Sequence, residues 1–322
     1  MGKEGKEVMM QDSRNAMAML AASKLAYHIK DGKLPASCRY RIDEWIGGVP
    51  FNWYHRAGFT EEVYTFTAGI ESIHAGLMGI SKDKLIIALR GTDGNDTLQG
   101  SILDWLNNFL AIQVPFPYGP GNVHEGFLNA AQSLQEDMVP KAEELYSSLE
   151  KKYENPEIIL TGHSKGGAVA MIMAAILSEI QEGKYRDKLT VCTFGAPRAG
   201  DKIFAENYSR PDYFRYEAFL DIVCHLPFTL QEMELLKRLG PVQELFGECL
   251  KLRPYKAVGT GICIYNSKDN FGKYPPDGRN ASGETLNSFC AVEQVVRYGA
   301  FQIFEGSHEK DYYLLDKSIQ FH

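Results

Sequence analysis

No run approaching the roughly 20 apolar residues needed to span a bilayer occurs in the 322-residue chain, which excludes a helical membrane span. Residues 1–10 lack the apolar core of a secretory leader, and the short apolar run 16–22 leads into helix-like sequence instead of a cleavage site. The expectation is a cytoplasmic chain, or a secreted one whose leader has been removed. Positive charge is also in short supply: 34 Lys and Arg stand against 41 Asp and Glu, a net charge of −7. That speaks against nucleic acid as a partner, since such binding needs a basic face, and against docking on an anionic membrane. The six cysteines include no C-x-x-C pair, so zinc-site spacing is absent and no metal or organic cofactor is expected. A chain of this length builds a core without disulfides, and the cysteines read as small buried thiols. Internal repeats and low-complexity linkers are missing too, so residues 1–322 read as a single domain.

What is present is an alternation of strand-like and helix-like segments. Residues 14–30 carry apolar side chains at helical spacing, and residues 62–78 read as a hairpin broken at Gly69. The run Leu85-Ile86-Ile87-Ala88-Leu89 predicts a strand buried on both faces. A long helix is expected over 127–153, a strand over 158–161, an apolar helix over 168–180, and strands over 189–194 and 213–219. Residues 229–250 read as an inserted helix, followed by strand-like residues 257–265 and a polar loop. Strands and helices in this order imply an α/β protein, with a mostly parallel central sheet and helices on both faces.

Gly162-His163-Ser164-Lys165-Gly166 fits the G-x-S-x-G pattern of a nucleophile elbow. The pattern alone is weak; its place between an apolar strand and a small-residue helix makes it specific. Such a turn exposes the serine hydroxyl, and its glycines are required because a side chain there would strike the neighbouring strand or helix. A serine hydroxyl is a poor nucleophile at neutral pH and needs a histidine base, itself oriented by a carboxylate. In this fold the acid and then the histidine follow the serine along the chain. His308, in a loop before a terminal helix pattern, is the favoured base; His225 is the alternative, and His322 ends the chain. Asp221, directly after the strand 213–219, is the favoured acid. Asp201 is its rival, though it also suits a helix N-cap before Lys202-Ile203-Phe204.

Several segments, in order, carry a family resemblance: Leu89-Arg90-Gly91-Thr92, Asp104-Trp105, Val123-His124-Glu125-Gly126-Phe127, the elbow with Gly167-Ala168, Thr193-Phe194-Gly195-Ala196-Pro197-Arg198-Ala199-Gly200-Asp201, and Asp221-Ile222-Val223-Cys224-His225-Leu226-Pro227. Over roughly residues 60–230 the chain resembles the class 3 lipases, the fungal triacylglycerol lipase-like family of the α/β-hydrolase fold. The resemblance implies a triad of Ser164, Asp221 and His308. It implies an oxyanion hole made by Thr92 and the backbone N–H of Lys165. It also implies that His124, His163 and His225 are structural. Two departures stand out. Members usually carry Leu where this chain has Lys165, whose charge either points to solvent or favours anionic esters. The stretch between Asp221 and His308 is long and holds the extra helix 229–250.

The family often places a mobile lid between the segments matching Thr92 and Val123. Here residues 93–112 include Ile102, Leu103, Trp105, Leu106, Phe109 and Leu110 among polar neighbours, as an amphipathic lid requires. The expected activity is hydrolysis of acylglycerols or other lipid esters through an acyl-enzyme on Ser164, with transient contact at a lipid interface. Phospholipase A1, thioesterase or acyltransferase chemistry would use the same triad, and a catalytically inactive lipid-binding module is the alternative from another class.

Overall fold

Along strand β5 (Lys84–Leu89) successive side chains enter two different cores, and this sets the layering of the molecule. Leu85, Ile87 and Leu89 pack with helices α3 (Glu125–Glu150) and α4 (Lys165–Glu179) on one face of the sheet. Ile86 and Ala88 pack with helix α1 (Ser13–Leu25) on the other. This is the period-2 geometry of a strand covered on both sides, and it places helices on both faces as expected. The computed structural model describes residues 13–46, 49–92, 112–218, 221–238 and 251–264.

Among the described residues the central sheet has seven strands in the order β11-β10-β9-β8-β5-β4-β3. Strands β5, β8 (Glu157–His163), β9 (Leu189–Phe194), β10 (Tyr213–Ala218) and β11 (Thr260–Ile264) run parallel. Strands β3 (Tyr64–Ala68) and β4 (His74–Ser81) form an antiparallel hairpin at one end, broken at Gly69 as the sequence predicts. The register aligns Leu89 with Gly162 and His163 with Phe194. The carboxyl ends of β5, β8 and β9 therefore finish level, and in a parallel sheet that edge is where chemistry collects.

Residues 166–178 of α4 are all buried, because the small and apolar run after Ser164 can face protein on every side. Helix α3 is amphipathic instead, burying Phe127, Leu128, Ala131, Leu134, Met138, Ala142, Tyr146 and Leu149 at three- and four-residue spacing. Three smaller elements were not foreseen: the pair β1 (Glu44–Ile46) and β2 (Val49–Phe51), the one-turn helix α2 (Trp53–Arg56), and the hairpin β6 (Gln113–Pro115) with β7 (Asn122–His124). These are short strands and a single helical turn, too brief to show a period. Helix α5 (Lys202–Tyr208) follows β9. The helix expected over 229–250 is, within the described residues, α6 (Leu230–Leu236), capped at Lys237. Cys38, Cys192 and Cys224 are buried thiols outside any disulfide, and burial pushes the Cys192 thiol far up.

Candidate active site

Ser164 joins β8 to α4 with φ 56° and ψ −134°. A non-glycine residue held there stores on the order of 1–3 kcal/mol of backbone strain, and such strain gathers at functional turns. Two hydrogen bonds hold the turn: the Ser164 N–H donates to the Phe194 carbonyl at 2.9 Å, and Gly167 N–H donates to the Ser164 carbonyl at 2.9 Å. The glycines are there for close approach. A Cβ on Gly162 would lie 2.3 Å from the Gly166 carbonyl carbon and oxygen, and one on Gly166 would lie 2.2 Å from the Leu89 carbonyl oxygen. The collisions expected from sequence are thus with backbone, which cannot rotate away.

The end of β5 is fastened beside this turn. Arg90 donates from its backbone to the Ala75 carbonyl at 2.8 Å. Its guanidinium donates to Ile29 O at 3.1 Å and Ser72 O at 2.7 Å. Gly91 lets the chain pass so close to the elbow that a Cβ there would fall 2.8 Å from the His163 carbonyl. Thr92, the next residue, is partly buried. Lys165 opens α4, where helix geometry leaves the first N–H groups without intrahelical acceptors and the helix dipole is positive. Its side chain is partly buried, not wholly in solvent. Nearby His74 titrates low, at about 4: burial opposes its charged form first, and the positive charges of Lys165 and Arg90 add to that.

Asp221 follows β10 and is buried. Its Oδ1 accepts from the Val223 N–H at 3.0 Å and its Oδ2 from the Cys224 thiol at 3.3 Å, capping a single 3-10 turn (Ile222–His225). The Cys224 contact was not anticipated. Strand β9 ties β10, which precedes Asp221, to the serine's strand: Gly195 N–H donates to Tyr216 O at 3.0 Å, and the rings of Phe194 and Tyr216 stack at 5.3 Å. Asp201 caps α5 by accepting from Phe204 N–H at 2.8 Å, and its other oxygen accepts from Asn122 Nδ2 at 2.7 Å.

Three further histidines, His163, His124 and His225, are buried. His163 Nδ1 lies 3.1 Å from the Tyr27 hydroxyl, a contact across 136 residues that no local pattern signals. His124 caps α3 through Nδ1 and stacks on Phe127 at 3.8 Å. His225 sits at the end of the Asp221 turn, its carbonyl accepting from Arg198. His308 lies outside the described residues, as do residues 93–111 of the expected lid and residues 239–250 of the inserted helix. Among the described residues no group of His, Cys, Asp and Glu could hold a metal ion, and no helix is long and apolar enough to cross a membrane.

A mostly parallel sheet, helices on both faces and a strained serine between strand and helix are the features of the α/β-hydrolase fold. The solved structure of Rhizomucor miehei triacylglyceride lipase has the same fold, with a TM-score of 0.55, 21% identity and coverage of 80% of each chain. The family model described as lipase (class 3) matches residues 86–231. The Rhizomucor miehei lipase is 33% identical over 153 residues, 46% of this chain and 39% of that one. A Rhizopus niveus lipase is 28% identical over 169 residues, 51% of this chain and 40% of that one. The chain thus spans about two fifths of the length of these curated relatives.

Proposed function

We propose that this protein is a serine carboxylic ester hydrolase of lipase type, acting on acylglycerols or other lipid esters. The observation that carries the reading is Ser164 at φ 56°, held between β8 and α4 against backbone that leaves no room for a Cβ on either side. In this reading Ser164 Oγ attacks the ester carbonyl carbon while His308 takes its proton. Collapse of the tetrahedral intermediate breaks the bond to the alcohol oxygen, which receives that proton. Water, deprotonated by the same histidine, then releases the acid from the acyl-enzyme. Asp221 holds the imidazole tautomer and stabilises the imidazolium. Thr92 and the Lys165 N–H bind the oxyanion, a contribution worth ~10²–10³ in rate for one donor. The segment 93–112 serves as an apolar lid that exposes the site at a lipid interface.

A fluorophosphonate probe tests the reading directly. Ser164 should label, Ser164→Ala should not, and both Ser164→Ala and His308→Ala should lose hydrolysis of p-nitrophenyl esters. Labelling and turnover that survive in Ser164→Ala would sink the assignment. A series of p-nitrophenyl esters of rising chain length, monomeric and emulsified, reports acyl preference and interfacial activation. A rate indifferent to emulsification would remove the lid.

A further inference from the structure

The turn that carries Asp221 is gripped from outside by Arg198, in the loop after β9. Arg198 donates its backbone N–H to the Leu226 carbonyl at 2.8 Å. Its Nη1 donates to the carbonyls of His225 at 2.5 Å and Pro227 at 3.0 Å. The same guanidinium meets Glu232 as a fork, with Nη1 to Oε2 at 2.7 Å and Nη2 to Oε1 at 2.8 Å. Both side chains are withdrawn from water, 2% and 1% exposed. Glu232 in turn accepts from the Thr229 N–H at 2.6 Å, and Thr229 Oγ1 accepts from the Glu232 N–H, closing a capping box at the start of α6.

A buried ion pair is a poor way to gain stability, since apolar residues of the same volume hold a core at least as well. What they cannot do is hold two carbonyls and a carboxylate around one planar cation. Here those carbonyls belong to residue 225, the last of the 3-10 turn that Asp221 caps, and residue 227, just beyond it. The Asp221 carboxylate is bonded to its own turn, through Val223 and Cys224. These two contacts tie the carboxylate to the turn, and Arg198 holds the turn's far end.

We infer that Arg198 and Glu232 are positioning residues, a clamp that aims the Asp221 carboxylate at the triad imidazole. This rests on the proposed role of Asp221. Arg198→Lys keeps the charge and loses the fork; Glu232→Gln keeps the shape and loses the charge. Each is expected to fold, to lower kcat for p-nitrophenyl butyrate about 10-fold or more, and to change KM by less than about two-fold. The acidic limb of the pH–rate profile should move to lower pH, because a misaimed carboxylate stabilises the imidazolium less. In an Asp221→Asn background neither substitution should cost further activity.

Wild-type kcat in Asp221→Asn alone would overturn the acid assignment and the clamp with it. A crippled Asp221→Asn, together with Arg198→Lys and Glu232→Gln that keep the wild-type kcat and pH profile, would overturn the clamp only. So would equal losses from each substitution in both backgrounds. If either single variant fails to fold, the double variant Arg198→Met/Glu232→Leu removes both charges at once. A retained melting temperature with lowered kcat supports the clamp, and a wild-type kcat overturns it.

Discussion

Replacing Gly166 with alanine adds one methyl group where α4 crosses the backbone at the end of β5. That Cβ would stand 2.2 Å from the Leu89 carbonyl oxygen and 2.9 Å from both the Arg90 carbonyl carbon and the Gly91 nitrogen. Ordinary contact begins near 3.5 Å, so α4 and the end of β5 must part by about 1 Å. Neither side yields easily, because Arg90 is bonded to Ala75, Ile29 and Ser72, and α4 is buried along its length. Overpacking of this kind costs roughly 1–3 kcal/mol. The kinetic effect should be larger than the stability loss alone suggests. The movement separates Thr92 from Lys165, the proposed oxyanion donors, and a misplacement of about 1 Å lowers rates by ~10². Gly126→Ala is the control, since its Cβ meets only the His124 ring edge at 3.3 Å. Purified variants would be compared by kcat on a soluble ester, by fluorophosphonate labelling rate at Ser164, and by melting temperature. A Gly166→Ala protein with wild-type kcat and stability would refute the reasoning. So would a Gly126→Ala protein equally impaired.

Two other outcomes follow from the site. Asp201→Ala should lose ~1 kcal/mol or more of stability through the vacated α5 cap, while its activity per folded molecule stays at the wild-type level; a large loss of kcat with an intact fold would restore Asp201 as an acid. His74 is held neutral down to about 4 against an ordinary 6.5, so the unfolded chain binds a proton that the folded chain refuses between those values. Its contribution is present above pH 6.5 and declines as pH falls toward 4. Melting temperatures across that range should show a smaller decline in His74→Gln, and identical profiles would contradict the account.

Much of the site was legible because its parts are local. The elbow is a strand, a turn and a helix in continuous sequence, and the reason for its glycines is steric. Buried strands such as Leu85-Ile86-Ile87-Ala88-Leu89 announce themselves by lacking polar residues. The turn between Asp221 and His225, only four residues apart, was also readable. The long-range partners were not. Nothing near Arg198 in sequence names Glu232, and nothing near Tyr27 names His163. The Cys224 thiol reads as a buried apolar group until the turn folds and points it at a carboxylate.

The choice between the two aspartates shows where the boundary lies. Either could follow a parallel strand and face the serine's edge of the sheet, and sequence spacing could only favour one. Folding engages the Asp201 carboxylate with Phe204 and Asn122, while Asp221 caps a short turn beyond β10 that the Arg198–Glu232 pair grips from outside. Periodicity and turn chemistry act over a few residues, so they are written in the chain itself. The partner of a given carboxylate or guanidinium depends on which distant segments the two cores bring together, and only the packed sheet decides that.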